Sequence, residues 1–290
     1  AEGCSNSCAY CIIPKLRGRY RSRPMEDILT EARALAADGV RECIVIAQDI
    51  TRYGMDLYHE KKLPQLLREL CKLDFHWIRL HYLYPDTITD ELIDTIAAEP
   101  KICKYIDMPI QHCNDTILKA MRRRETHAGL LALMDKLRSR IPGVVLRTSL
   151  ITGLPYEDEA AFDELCEFLR RTHIERAGVF PYSPEEGTAA AEMPNRVDTA
   201  EAERRAELVV DVQSRVMDAF NESRMGDLVE VLCDGFDPQS MQYMGRSYAE
   251  SPDVDGHIYF TSDADVNPGD FVMVRITGAM DGELVGEREE

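Results

Sequence analysis

The sequence predicts an α/β fold: a partial (β/α)6 barrel followed by a small antiparallel β-barrel of the oligomer-binding type. Three observations carry this expectation. Apolar, β-rich runs alternate with helix-period runs from residue 25 to about 182, the pattern of a parallel sheet with outer helices. Five short alternating segments, punctuated by Gly, Pro and Asp, crowd the stretch after Gly226, as in a small closed barrel. A single highly charged helix separates the two regions. A chain of 290 residues has room for one large core and a small module. The expected division is a core with its linking helix over 1–222 and a barrel over 223–290.

The elements follow in order. Residues 25–38 place Ile28, Leu29, Ala32, Leu35 and Ala36 on one helical face. Cys43–Ala47 reads as a strand, 64–72 as a helix, Trp77–Tyr82 as a strand and 89–98 as a helix. A short strand is expected near Tyr105–Asp107, helices over 114–122 and 127–140, and a strand over Val144–Leu150. Helix 158–171 carries Phe162, Leu165, Phe168 and Leu169 on one face and opens with Glu157, Asp158 and Glu159 at its positive end. The last core strand is near Ala177–Phe180. A sixth strand would precede the first cysteines, where only a three-residue stub stands. Helix 199–223 has one apolar stripe through Leu208, Val209, Val212, Val216 and Phe220. The barrel strands are expected at about 228–234, 242–248, 256–261, 270–277 and 283–287.

Composition narrows the function. No apolar run approaches the roughly 18 residues that span a bilayer, and the reading is of a cytoplasmic protein with no membrane partner. The abrupt start, almost on top of the first cysteine, suggests a piece of a longer protein. The net charge is −18, and residues 221–290 hold 16 Asp/Glu against 4 Lys/Arg. An acidic surface repels nucleic-acid phosphates and attracts basic partners. Six of the nine cysteines (Cys43, Cys71, Cys103, Cys113, Cys166 and Cys233) are scattered. They form no disulfide framework and are expected as core residues in a reducing compartment.

The other three are not scattered. Cys4, Cys8 and Cys11 have the spacing C-x3-C-x2-C, with Tyr10 just before the last. Thiolates select Fe–S clusters, zinc or Cu(I). A structural zinc site is normally closed by four ligands, and a ferredoxin cubane likewise uses four cysteines. Here no fourth cysteine follows within thirty residues. A [4Fe–4S] cluster on three thiolates keeps one iron open, and the amino and carboxylate groups of S-adenosylmethionine (SAM) suit that iron. Electron transfer from the cluster can then cleave the sulfonium and release a 5′-deoxyadenosyl radical.

With these residues the chain resembles the radical SAM superfamily, and more narrowly its methylthiotransferases with a C-terminal TRAM barrel. The resemblance runs through Arg17–Pro24, Ala47-Gln48-Asp49-Ile50-Thr51-Arg52-Tyr53-Gly54, Tyr105–His112, Gly245-Arg246-Ser247-Tyr248 and Ser251–Gly256. It points to the branch that modifies the β-carbon of an aspartate in ribosomal protein S-twelve of the small subunit, a very basic protein. It implies a [4Fe–4S] cluster on Cys4, Cys8 and Cys11, bound SAM, and an electron donor. It also implies a second [4Fe–4S] cluster in an N-terminal domain that these residues lack, so that this chain cleaves SAM without completing sulfur insertion. The segment Gly153-Leu154-Pro155-Tyr156-Glu157-Asp158 matches the family's adenine-side motif but departs from its usual Gly-Phe-Pro-Gly-Glu-Thr.

Tyr10, Gln48, Asp49, Gln111, Arg147 and Gly153 are the expected cofactor contacts. Gln48 and Asp49 end a strand, where β/α folds place their sites; Gln111 and His112 follow another strand end. Arg147 lies inside a strand expected to be buried, so it needs an anionic partner, either the SAM carboxylate or a neighbouring acid. Lys15, Arg17, Arg19, Arg21 and Arg23 either steer an acidic group or form a solvated loop. Arg122-Arg123-Arg124 reads as a surface patch at a helix end. Two alternatives stand beside the ribosomal-protein reading: a tRNA adenosine methylthiotransferase, disfavoured by the acidic barrel, and a non-catalytic metal-binding partner module.

Overall fold

The computed structural model describes residues 1–289. The chain divides into two compact units, Ala1–Val212 and Gln213–Glu290, with the division inside the long charged helix.

In the first unit, α1 (Ile13–Arg17) and α2 (Met25–Ala37) precede β1 (Glu42–Val45). Then come α3 (Leu63–Cys71), β2 (Trp77–Leu80), α4 (Asp90–Ala98), β3 (Tyr105–Asp107), α5 (Asp115–Ala120) and α6 (His127–Arg140). β4 (Val145–Thr152), α7 (Glu159–Thr172), β5 (Arg176–Pro181) and the start of α8 (Thr199–Ser223) complete it. All strand pairings are parallel: β1 with β2, and β3 with β4 with β5. A parallel bridge from Ile78 to Ile102 links the two groups. This is the expected β/α alternation with strand limits within about two residues. The helices from α2 onward bury one face each; α3 contributes Leu63, Leu66, Leu67 and Leu70 to a core that includes Ile78, Leu80, Ile106 and Leu146. Aliphatic burial at roughly 25 cal/mol per Å² is what holds these helices on the sheet.

One expectation needs correction. The β4 strand is not buried on both faces: Arg147, Ser149 and Ile151 are half-buried while their neighbours are buried. In the stub before the cysteines, Glu2 makes a single antiparallel bridge to Arg21.

In the second unit, β6 (Leu228–Asp237), β7 (Gln242–Arg246), β8 (Ile258–Thr261), β9 (Phe271–Met280) and β10 (Glu283–Glu289) close a barrel in the order β10-β8-β7-β6-β9. Four neighbouring pairs are antiparallel, but β8 and β10 run parallel. The cause is parity: a closed ring with an odd number of strands cannot alternate direction at every seam. Register shifts at Cys233/Gly235 and Val285/Gly286 supply the curvature that closure needs. At Gly245 an added Cβ would sit 2.3 Å from the Leu232 carbonyl oxygen, so only glycine fits that crossing. Val231, Ile258, Phe260, Val274, Ile276 and Leu284 fill the interior.

Candidate functional site

The cysteine loop is fixed by its backbone before any ligand is considered. The Cys4 amide donates to the Gly18 carbonyl at 3.1 Å and the Ala9 amide to that of Met121 at 3.0 Å; Ala190 donates to the Ala9 carbonyl at 2.9 Å. Gly3 holds φ +72°, and a Cβ there would meet the Arg19 carbonyl oxygen at 2.4 Å. Glycine is therefore required where the loop crosses the segment behind α1.

Cys4, Cys8 and Cys11 line one cavity of about 530 Å³ with Asn6, Arg19, Arg122 and Thr188. Among the described residues no fourth cysteine, and no histidine or carboxylate, lines it. A structural zinc is normally closed by four protein ligands and a ferredoxin cubane by four cysteines, whereas this lining offers three thiols. Burial pushes the Cys4 and Cys11 thiols up, and the charge of Cys8 pushes both further. A cationic centre would reverse that by drawing off the protons. The donor set therefore fits a three-cysteine [4Fe–4S] cluster.

Three residues that sequence reasoning missed, Asn6, Tyr84 and Arg123, brace this loop, and a fourth, Glu157, holds the turn at Gly153. Asn6 donates from Nδ2 to Asp49 Oδ2 at 3.0 Å, while its amide donates to the Cys4 sulfur at 3.4 Å. The Tyr84 hydroxyl lies 3.1 Å from Cys8 Sγ. Arg123 stacks its guanidinium over the Tyr84 ring, 4.1 Å from the centroid, and donates to the Pro109 carbonyl and Glu125 at 2.8 Å each. Arg123 is buried, so the expected Arg122–Arg124 surface patch is corrected: only its two flanking arginines face solvent. Glu157 is the fourth. It accepts from the Gly153 amide and from Arg205 at 2.9 Å each and lies 3.3 Å from His112 Nε2. Nothing in the sequence marks Arg123, since its partners are set by the fold. Glu157 stood inside the recognised Gly153–Asp158 stretch.

The expected cofactor contacts separate into two groups. Tyr10 and Gln111 meet at a second cavity of about 200 Å³, together with Ser149, Ile151 and Tyr182. Gln111 sits at φ +69°, held by a 2.9 Å bond from its amide to the Ser149 carbonyl and by a bridge to Leu150. Burial pushes the Tyr10 phenol up, so it stays protonated near Arg123.

The other four have protein partners or lie elsewhere. Asp49 is fully buried. Its Oδ1 accepts from the Thr51 amide and hydroxyl, and its Oδ2 from Asn6 and from Arg52 Nε at 3.1 Å. Its place is to hold Asn6 and the turn at Ile50–Arg52. Gln48 is exposed beyond β1. Arg147 donates to Asp107 at 2.9 Å and to Ser149 Oγ at 3.1 Å; of its two anticipated partners, the structure supplies the neighbouring acid. Gly153 has φ +75°, and a Cβ would stand 2.2 Å from that of Ala202. The glycine is thus fixed by the close approach of α8.

The protein-family comparison matches the Radical SAM superfamily over residues 1–169 and the TRAM domain over residues 225–288. A protein of Caldanaerobacter subterraneus named ribosomal protein uS12 methylthiotransferase RimO is 48% identical over 288 residues, covering 99% of this chain and 65% of that protein. A protein of Geobacter sulfurreducens with the same name is 48% identical over 289 residues, covering 99% and 64%. This chain thus spans slightly under two thirds of these relatives. Among solved structures, the radical SAM methyltransferase TsrM of Kitasatospora setae superposes with a TM-score of 0.54 at 18% identity, over 66% of this chain and 37% of that one. Coproporphyrinogen III oxidase (HemN) of Escherichia coli gives 0.53 at 14% identity, over 84% and 63%; both show the shared fold. With its family model covering more than half of the residues and its cysteine loop at the C-terminal end of a parallel β/α sheet, the chain belongs to the radical SAM superfamily.

Proposed function

We propose that this chain is the radical SAM core and TRAM barrel of a methylthiotransferase that modifies an aspartate of ribosomal protein uS12. The observation that carries the reading is the cavity bordered by three cysteine sulfurs with no fourth protein ligand. The 44–48% identity to proteins named for that activity supports the substrate. Cys4, Cys8 and Cys11 would hold the cluster; with SAM bound, that centre would supply the one-electron reduction that begins radical chemistry.

The chain's own residues do the rest. Asp49 and Asn6 keep the loop open at Cys4. Tyr84, clamped by Arg123, places a hydroxyl against Cys8. Tyr10 and Gln111 border the adjoining cavity, where they are placed to bind the adenosyl part of SAM. Gly153 and Glu157 hold the neighbouring turn against α8. The sulfur itself is assigned to a second cluster in a domain outside these residues, and the electron to a separate donor. The acidic barrel is the docking surface for the basic protein.

Binding separates this reading from the tRNA alternative. Ribosomal protein uS12 should bind the chain and be released by rising salt, while tRNA should not bind at low salt. Retention of tRNA with no affinity for the ribosomal protein would overturn the substrate assignment.

A further inference from the structure

A second cluster of metal-ligating side chains lies outside the cysteine loop. Cys113 comes from the segment after β3, His127 opens α6, and Glu164 sits in α7. One ligand atom from each lies within 4.8 Å of the other two. We propose that Cys113, His127 and Glu164 form a mononuclear site for a borderline-soft divalent cation of the zinc class.

The donor chemistry is sulfur, nitrogen and oxygen, the set that zinc accepts. His127 Nδ1 lies 2.6 Å from Glu164 Oε1, yet that nitrogen makes no hydrogen bond and is shielded from solvent. Ligands on adjoining corners of a tetrahedral zinc stand about 3.3 Å apart, so binding would part the two groups by less than an ångström. Support from outside the triad is also present. Asn114 Nδ2 donates to Glu164 Oε2 at 2.6 Å, leaving Oε1 toward the histidine. Asp115 accepts from the His127 amide at 2.7 Å, fixing the start of α6. Such outer contacts orient ligands in metal sites.

Charge closes the argument. Cys113 is fully buried in the core, and ionising its thiol beside Glu164 would set two negative charges together. A divalent cation balances both, and the thiol proton leaves to solvent on binding. His127 and Glu164 are only partly buried, so the ion has an entry path and a position open to water. The site would tie the β3–α5 connection to α6 and α7.

The test uses the full chain with Cys4, Cys8 and Cys11 all changed to Ala, which removes the competing thiols and makes the outcome independent of the cluster assignment. Co2+ should bind at one per chain with a thiolate-to-cobalt charge-transfer band. Adding Cys113→Ser should abolish the band, and adding Glu164→Gln should weaken binding about ten-fold or more. In the otherwise unaltered chain with its cluster reconstituted, elemental analysis should find one zinc per chain beside the iron. That zinc should be lost in His127→Gln, a partly exposed position suited to a folded variant. A Co2+ band that survives Cys113→Ser, or zinc that survives His127→Gln, overturns the proposal, as does absence of both metals from the parent proteins.

Discussion

In Ala1–Val212 several ionic side chains go inside against a fixed partner. Arg79 is fully buried against Glu42 at 2.7 Å; Arg123 pairs with Glu125, Arg205 with Glu157 and the half-buried Arg147 with Asp107. In Gln213–Glu290 charges stay mostly outside and mostly negative. Arg246 is paired with Asp234 in a two-bond fork and Arg275 with Glu289. A buried network, Arg224 with Glu250 at 2.5 Å and Ser247, fixes the turn after β7. The first unit spends its charges on shape, because a buried ion must be satisfied or it unfolds its surroundings. The second presents them as a field, which acts at a distance on a partner and contributes little to stability.

The contrast can be broken most forcefully at Arg123. Arg123→Ala leaves Glu125 buried without its cation and the Pro109 carbonyl without a donor. Breaking such a pair should cost about 3–5 kcal/mol, read from chemical denaturation. A loss within about 0.5 kcal/mol, normal for a surface site, would show that the buried network is not structural.

Acid sharpens the same distinction. Burial pushes Asp107 and Glu157 up, but His81, Arg147 and the Tyr82 amide outweigh it for the first, and His112, the Gly153 amide and Arg205 for the second. Both carboxyls are thus held below the usual range. Depressed folded values mean that the stability they contribute is full above about pH 4 and is lost as pH falls through the folded values. The first unit should therefore lose near-ultraviolet ellipticity on acidification below pH 4 more steeply in the parent than in Asp107→Asn. Parallel acid profiles would contradict the linkage.

A smaller effect is expected at Tyr84. A hydroxyl donated to a ligand sulfur stabilises the extra negative charge of the reduced centre. Tyr84→Phe should shift the cluster's reduction potential to more negative values in an EPR-monitored titration while iron content is kept. An unchanged potential would remove Tyr84 from the site.

The least change in stability is expected on the barrel. Asp263→Asn with Asp265→Asn, both exposed, should alter stability by no more than about 0.5 kcal/mol. Affinity for the basic protein should nevertheless fall at low salt, with a flatter salt dependence. Unchanged binding would place the docking surface elsewhere.

Legibility in the sequence followed the range of the interaction. The cysteine loop was readable because its three cysteines fall within eight residues, and hydrophobic periodicity placed the strands because burial is a local pattern. Partners brought together by the fold were not readable. Arg147 announced a need for an anion, but Asp107, on the neighbouring strand, is forty residues away. Arg123 looked like its exposed neighbours, since only the tertiary position of Tyr84 tells them apart. Gly153 was marked by its motif, but for a cofactor; its tight neighbour is Ala202. The parallel β8–β10 seam follows from five strands in a ring, yet needs knowledge that the ring closes.

The central claim is that Cys4, Cys8 and Cys11 anchor a cluster whose remaining iron is left for SAM. It is tested most directly by anaerobic reconstitution with iron and sulfide, reduction in the presence of SAM, and assay for 5′-deoxyadenosine. The parent chain should form that product and Cys8→Ala should not; equal product from Cys8→Ala, or none from a parent chain carrying four irons, would contradict the account.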